Sequence, residues 1–372
     1  MFKGHGGKKG LLPGKEHNDI LDFSANINPL GYPEGVRTRI LKNFDTILHY
    51  PDIDCTDLKR FIAQKIARSP DEIIVGNGST ELFYLIPRAL RPEKGITFQP
   101  TFSEFAEALK CSNTQEIPIP LEEKNAFSFS YKRKYFRDSK AKLAFLCNPN
   151  NPTGQLTDRE VILSMARKHS DVTFVVDEAF MDFVGESEKY SVANEVGDIK
   201  NLIVVKSLTK FYGFPGLRVG YLVANADIVK MLTNYKEPWT VNSFAQYAVM
   251  EAMGDTEFIS RSREFVSQEK RYLRKELSNI PGILPFKPAA NFIFVKILLN
   301  TITSAFLYDL LLEHDIAIRD CSNFRGLDDT YFRVAVRTRK ENKKLVQTLK
   351  RVLISAKHDV VQEQQACQTN PA

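Results

Sequence analysis

Along the first two thirds of the chain the spacing of apolar residues switches repeatedly between two periods. Short β-branched runs at Glu72–Val75, Ile96–Phe98, Lys142–Cys147, Val172–Glu178 and Leu202–Val205 have the composition of buried strands. Between them, apolar residues recur at helical spacing over 34–48, 54–68, 81–90, a segment opening at Pro100–Phe105, and 158–169. Tyr50-Pro51-Asp52 separates the first two helices, because the residue ahead of a proline is pushed out of helical backbone. Alternation of strand and helix through residue 222 predicts a largely parallel sheet, with the loops at the strand C-termini making any site.

Beyond Tyr221 the pattern changes. Helical spacing runs over 227–234, 243–253 and 256–279, the last stretch long enough to link two units. Strands at 291–295, 316–319 and 331–336, with helices at 303–314 and 340–354, predict a smaller α+β unit. The expected organisation is an N-terminal segment 1–45 that joins the small domain and lines the site, a large domain 46–270 and a small domain 271–356. Residues 357–372 are polar and read as a frayed, flexible tail. No internal repeat is present.

Composition narrows the function classes. With 43% hydrophobic and 26% charged residues over 372 positions, the chain can bury a full core. No apolar run reaches membrane-spanning length and the start lacks the apolar core of a secretion signal, so a cytoplasmic protein without membrane contact is expected. The net charge of +6 is carried by scattered lysines with no basic block interleaved with aromatics, which disfavours nucleic acid and fits a small anionic ligand. Five cysteines, never spaced as CxxC, argue against a disulfide framework and against a metal site.

The densest chemistry lies in Val205–Tyr221. Ser207 and Thr209 flank Leu208, Lys210 follows at once, and Arg218 stands after a Pro215-Gly216 turn. A lysine amine beside small hydroxyls and an arginine fits an aldehyde cofactor that carries a phosphate, pyridoxal phosphate. The amine would condense with the aldehyde, and the hydroxyls and guanidinium would take the phosphate. Two other stretches point the same way. Gly76-Asn-Gly-Ser-Thr80 turns from strand to helix with small residues whose backbone N–H groups can close on a phosphate. Asp177 ends a buried run, where a carboxylate needs either backbone donors or a cationic ligand such as a protonated pyridine. Phe102, at a helix start, suits either the core or a planar ring. The irregular segments His5-Gly6-Gly7 and Asp22–Gly31 are rich in Asn, Pro and Gly and can line a site.

Asn151-Pro-Thr-Gly154, Asp177, Ser207-x-Thr209-Lys210 and Arg218 together resemble the fold-type I pyridoxal-phosphate enzymes related to aspartate aminotransferase. A closer likeness is to one branch, the L-threonine-O-3-phosphate decarboxylases of cobalamin synthesis, sisters of the histidinol-phosphate aminotransferases. It is carried by His5–Gly7, Asp22–Gly31, Asp177–Phe183, Ser207–Tyr212, Pro238-Trp-x-Val-Asn242 and Arg333–Arg337, spread over residues 4–354.

The resemblance implies a large, mainly parallel-sheet α/β domain with a smaller α+β domain, and specific roles. Lys210 resembles the lysine that holds the cofactor and later moves protons at Cα, and Asp177 the partner of the pyridine nitrogen. Asn151 matches the residue bonding the ring hydroxyl, with substrate beside it. Ser79, Thr80, Ser207, Thr209 and Arg218 match the phosphate cup, and Phe102 the stacking aromatic. Tyr50 resembles a tyrosine that reaches the phosphate from the other subunit, implying a homodimer with shared sites. Arg333 matches the α-carboxylate arginine, Arg319 a further anion contact, and His5, Gly6 and Asn26 contacts to a phosphorylated amino acid. Arg337 reads as a surface arginine.

The activity implied is decarboxylation of L-threonine O-3-phosphate to (R)-1-aminopropan-2-yl phosphate. L-serine O-phosphate, giving ethanolamine phosphate, differs by one methyl. Histidinol-phosphate aminotransferase is the alternative reaction. The aminotransferases usually have tyrosine three residues after the cofactor's aspartate, where Phe180 stands here, which favours decarboxylation. A non-catalytic pyridoxal-phosphate-binding regulator is the alternative from another class, and absence of a cofactor absorbance band would indicate it.

Overall fold

A computed structural model describes residues 6–7 and 20–368, with side chains as far as residue 355. At its centre is a seven-stranded sheet. The spatial order is Ile73–Gly76, Gly220–Ala224, Leu202–Ser207, Thr173–Asp177, Leu143–Cys147, Lys94–Gln99, Gln115–Pro120. Only Gly220–Ala224 runs against the others, pairing antiparallel with both neighbours. The expected mainly parallel α/β sheet is therefore present. Its central strands are buried along their whole length, which explains why they read as unbroken apolar runs. Alternate residues serve opposite faces: Phe145, Val175 and Ile203 pack with Phe83 and Phe105, while Ala144, Phe174 and Val204 pack with Ile162 and Ala166.

The second layer is a four-stranded antiparallel sheet in the order Arg319–Asp320, Tyr331–Ala335, Phe292–Ile297, Ile283–Pro285. The N-terminal segment joins it. Leu21–Asp22 pairs in parallel with Ile316–Ala317, and the Ala335 N–H donates to the Phe23 carbonyl at 2.8 Å. The helix Thr256–Ser278 serves both layers: Phe258 and Val266 pack with Phe211 and Phe292, and Leu273 and Leu277 with Ile293 and Val334. Asp255 caps it by accepting from the Phe258 N–H at 2.8 Å.

Several elements differ from expectation. The edge strand Gln115–Pro120 was not anticipated, because Pro118 and Pro120 argue against a strand; an edge strand tolerates them, having one side free of ladder bonds. The expected helix over 34–48 breaks after Lys42 into a 3₁₀ turn, Phe44–Leu48. The single strand expected at 316–319 is two short ones in different sheets. The last helix, Arg339–Gln368, continues through much of the stretch read as a frayed tail. That stretch is polar but holds no Gly or Pro before Pro371, and its Lys, Gln and Glu are good helix formers. Among the described residues no helix is long and apolar enough to cross a membrane.

Candidate active site

The central parallel strands end at one rim of the sheet, and a cavity of about 430 Å³ opens there. Asp177 is the last residue of Thr173–Asp177, Ser207 the last of Leu202–Ser207, and Lys210 lies in the helical turn Leu208–Phe211 that follows. All three line the cavity, as does Asn151.

Asp177 is buried, with one oxygen accepting from the Ala179 N–H at 2.9 Å and the other 3.7 Å from the Cys147 thiol. Burial dominates over these donors and over the nearby Lys210, and pushes the Asp177 carboxyl up to about 7. Lys210 moves the opposite way. Burial first, then the Arg218 and Arg333 guanidinium groups, lower its amine to about 8, with Asp177 opposing. A carboxylate that needs a cation and an amine that sheds its proton readily stand in one cavity. A pyridinium nitrogen and an aldehyde would satisfy both.

The backbone around the lysine is anchored from two sides. The Lys210 carbonyl accepts from the Asn28 N–H at 3.0 Å. The Asn28 amide also donates to the Phe211 carbonyl at 2.7 Å and to Ser262 Oγ of the long helix at 2.9 Å. Behind Asp177, Glu178 and Lys206 form a buried ion pair at 2.8 Å. Glu178 also accepts from Ser191 Oγ at 2.7 Å and from the Val192 N–H at 2.8 Å, so its charge is compensated.

Ser79 and Thr80 sit in the first turn of the helix Gly78–Leu90, facing the cavity beside Ser207, Thr209 and Arg218. Ser207 Oγ and Thr209 Oγ1 are 3.0 Å apart. Gly78 has φ +76°, and a Cβ there would come within 2.6 Å of an Arg218 guanidinium nitrogen. Only glycine lets the helix start and the arginine approach this closely. Backbone N–H groups, two hydroxyl pairs and a guanidinium make a cradle suited to a phosphate. Phe102 also lines the cavity, packed edge-on against Phe83 and Phe105 at 6.2 and 5.6 Å.

The opposite wall comes from the small sheet and the N-terminal segment. Arg333 is buried, donating to Asn151 Oδ1 and, at 2.8 Å, to the Ser24 carbonyl, with its guanidinium 5.2 Å over the Phe292 ring. Its Nε has no partner among the described residues, and burial lowers its pKa to about 10. Arg319 is buried too and donates to Asn323 Oδ1 at 2.8 Å. Asn26 Oδ1 is buried without a partner among the described residues. Gly6 packs so tightly that a Cβ would lie 2.1 Å from the Ser24 carbonyl oxygen. Two guanidinium groups, with the Arg333 Nε still to be partnered, suit an anionic ligand, while the Asn26 Oδ1, an acceptor, suits a donor group.

His5 lies outside the described residues. Tyr50 is 84% exposed, 5.2 Å from the Trp239 ring, and does not line the cavity of its own chain. Arg337 is held by Glu341 at 2.7 Å and by the Asp22 carbonyl at 3.1 Å, away from the cavity. Phe180 lines the cavity edge-on to Phe292 at 5.1 Å. Sequence reasoning missed Glu104 and Phe324 as lining residues, while Ser24 belongs to the Asp22–Gly31 segment expected to line the site. Glu104 sits beside Phe102 and could have been flagged by that neighbour, whereas Phe324 lies in an irregular loop with no pattern to mark it. Among the described residues no cluster of His, Cys, Asp and Glu could hold a metal.

The sequence profile of the family "Aminotransferase class I and II" matches residues 18–349. The threonine-phosphate decarboxylase of Salmonella typhimurium is 33% identical over 356 residues, covering 94% of this chain and 96% of that protein. Among solved structures, the histidinol-phosphate aminotransferase from Clostridium acetobutylicum superposes with a TM-score of 0.83 at 31% identity, covering 90% of this chain and 99% of its own. The L-threonine-O-3-phosphate decarboxylase from Porphyromonas gingivalis superposes with a TM-score of 0.80 at 29% identity, covering 89% and 98%.

Proposed function

Because the chain belongs to the class I and II aminotransferase family and is a pyridoxal-phosphate enzyme, we propose that it decarboxylates an O-phosphorylated L-amino acid, L-threonine O-3-phosphate first and L-serine O-phosphate second. The observation that carries this reading is the double anion-binding character of the cavity. A phosphate cradle on the large sheet faces two buried arginines on the small one, Arg333 with an unpartnered Nε among the described residues. The first suits the cofactor's phosphate, the second a substrate with both a carboxylate and a phosphate.

The residues fit the cofactor. Ser79, Thr80, Ser207, Thr209 and Arg218 would hold its phosphate, Phe102 would cover a ring face, and Asp177 would meet its nitrogen. Asn151 gives its Oδ1 to Arg333, leaving its amide N–H groups for the ring hydroxyl. When bound, pyridoxal phosphate supplies an electron sink for the pair released as the Cα–carboxylate bond breaks. Asp177 supports that sink by keeping an ionised carboxylate beside a protonated nitrogen. Arg333 binds and orients the carboxylate, and Arg319 with the Asn26 amide N–H groups and Gly6 binds the phosphate. His5 joins that subsite in this reading. Lys210 Nζ, whose pKa burial lowers to about 8, would hold a proton and deliver it to Cα in place of the departed CO₂, so that the product is the phosphorylated amine.

The reading includes a homodimer. Leu41, Phe44, Ile47, Leu48, Ile53 and Trp239 are exposed around Tyr50, an apolar face that a second copy would cover. Tyr50 of one chain would then contact the cofactor's phosphate in the other.

Histidinol-phosphate aminotransferase is the second reading, favoured by the Clostridium acetobutylicum structure. Phe180, lacking a hydroxyl in the cavity wall, speaks against it. One assay separates them. The pyridoxal-phosphate-loaded protein receives L-threonine phosphate, L-serine phosphate, or histidinol phosphate with 2-oxoglutarate, and CO₂ and glutamate are both measured. CO₂ without glutamate is expected. Glutamate without CO₂ would replace this reading with the aminotransferase.

A further inference from the structure

Arg319 is aimed into the cavity by the loop that follows it. It donates to the Asp320 carbonyl and to Asn323 Oδ1 at 2.8 Å, and its guanidinium lies 4.9 Å over the Phe324 ring. That loop, residues 321–327, contains turns only, closed by Phe324 N–H to the Cys321 carbonyl and Leu327 N–H to the Phe324 carbonyl. Local hydrogen bonds of this kind do not fix where a loop sits relative to a sheet built from another part of the chain.

What fixes it is a seam with the edge strand Gln115–Pro120 and the turn after it. Arg325 Nη1 donates to Glu116 Oε2 at 2.6 Å. The other Glu116 oxygen accepts from Thr97 Oγ1 at 2.6 Å and Gln99 Nε2 at 3.2 Å, so the carboxylate is clamped to the large sheet before the arginine arrives. Below the ion pair, Phe127 packs into one apolar cluster with Cys321, Phe324, Tyr331 and Phe294. A second pair, Lys296 to Glu123 at 2.6 Å, closes the far end of the seam. An isolated surface ion pair contributes little. Here only the arginine is substantially exposed, 56% against 14% for Glu116, so one partner is already immobile when the pair forms.

We infer that Glu116 and Arg325 are positioning residues: their ion pair docks loop 321–327 onto the edge strand and so sets Arg319 at the place where the substrate's anion binds. Neither residue lines the cavity. The inference rests on the reading of Arg319 as an anion contact given above.

Four single variants, Arg319→Ala, Arg325→Ala, Arg325→Lys and Glu116→Gln, together with the double variant Arg325→Ala/Glu116→Gln, separate the two layers of inference. Each is prepared as pyridoxal-phosphate-loaded protein. Calorimetric titration with inorganic phosphate measures anion binding without reference to the reaction, and steady-state turnover of L-threonine phosphate gives KM and kcat. Arg325→Ala should raise the phosphate Kd and the KM about five- to tenfold, with kcat and the cofactor's visible band unchanged. Arg325→Lys should restore most of the loss, and the double variant should be no worse than either single change. If Arg319→Ala weakens phosphate binding and Arg325→Ala does not, the positioning role is overturned while Arg319 keeps its assignment. If Arg319→Ala leaves the phosphate Kd unchanged, the assignment of Arg319 falls and the positioning role falls with it.

Discussion

Asp177, Ser207 and Lys210 reach the cavity from adjoining parallel strands of the large sheet, whereas Arg319 and Arg333 reach it from paired strands of the small sheet and Asn26 from the N-terminal segment. In the first group the register does the positioning. Asp177 pairs with Val205, two residues before Ser207, so the end of one strand places the carboxylate and the end of the next places the hydroxyls and the lysine. In the second group Arg333 bonds Asn151 across 182 positions and Ser24 across 309, while Arg319 is held by its own loop at Asp320 and Asn323. Both halves are thus carried on backbone ladders; the half read as the substrate site differs in that the N-terminal segment and loop 321–327 are tied to it by side-chain contacts. Substitutions in the first half should change the chemistry, and substitutions in the second should change the capture of the anion.

The largest effect should come from Lys210→Ala. Removing the only amine read as a proton carrier at Cα should lower kcat at least ~10³-fold and abolish the borohydride-trappable link to the cofactor. Turnover at the parent rate would place the chemistry elsewhere and dissolve the contrast between the two halves.

Asp177 gives a test with a pH signature. The folded chain holds the Asp177 proton up to about 7, the unfolded chain only to 3.8. In cofactor-free protein the carboxyl therefore favours the fold at low pH and loses that contribution as pH rises through 7, leaving a buried charge without its cation. Asp177→Asn carries no such charge. Stripped of cofactor, the variant and the parent should have similar unfolding free energies only below pH 3.8; the variant should be the more stable by roughly 1–2 kcal/mol at pH 5 and by up to about 4 kcal/mol at pH 8. Added cofactor should reverse the order at pH 8, because only the parent can pair with a protonated nitrogen. Parallel stability of the two cofactor-free proteins across this range would remove the case for a buried carboxylate awaiting a cation.

Arg333→Ala should act on the other half. Losing a buried charge-assisted pair with the carboxylate should cost roughly 30- to 100-fold in kcat/KM, mostly through KM. The absorbance of the bound cofactor should be unchanged. A loss confined to kcat would mean that Arg333 belongs with the chemistry rather than with capture.

The same division decided how much could be read before folding. The strands at 73–76, 143–147, 173–177 and 202–207 are buried on both faces, so their sequences are continuous apolar runs and their ends were easy to place. Ser207, Thr209 and Lys210 are neighbours in sequence, and their chemistry showed in one glance at residue types. Arg319 and Arg333 carry no such mark: on residue types alone each is one arginine among many, and only likeness to a family singled them out. Phe324 was missed because a loop aromatic becomes part of a site only through packing. The Gln115–Pro120 strand was hidden by its prolines, and with it the seam that holds loop 321–327.

Phe180 lies between the halves, lining the cavity with its ring against Phe292, the residue over which Arg333 is stacked. Phe180→Tyr adds one hydroxyl beside the cofactor site and leaves the apolar contact in place. If the course of the reaction is set by how the arginine wall holds the substrate, the variant should still release CO₂ without forming glutamate, with kcat/KM changed by less than about threefold. Its visible band should shift, since a new donor near the ring oxygen alters the protonation equilibrium there. Appearance of glutamate from histidinol phosphate and 2-oxoglutarate in this variant would show that a single hydroxyl on the large-sheet side chooses the bond. The choice would then belong to the half of the cavity built on strand ends, and Arg333 and Arg319 would serve capture alone.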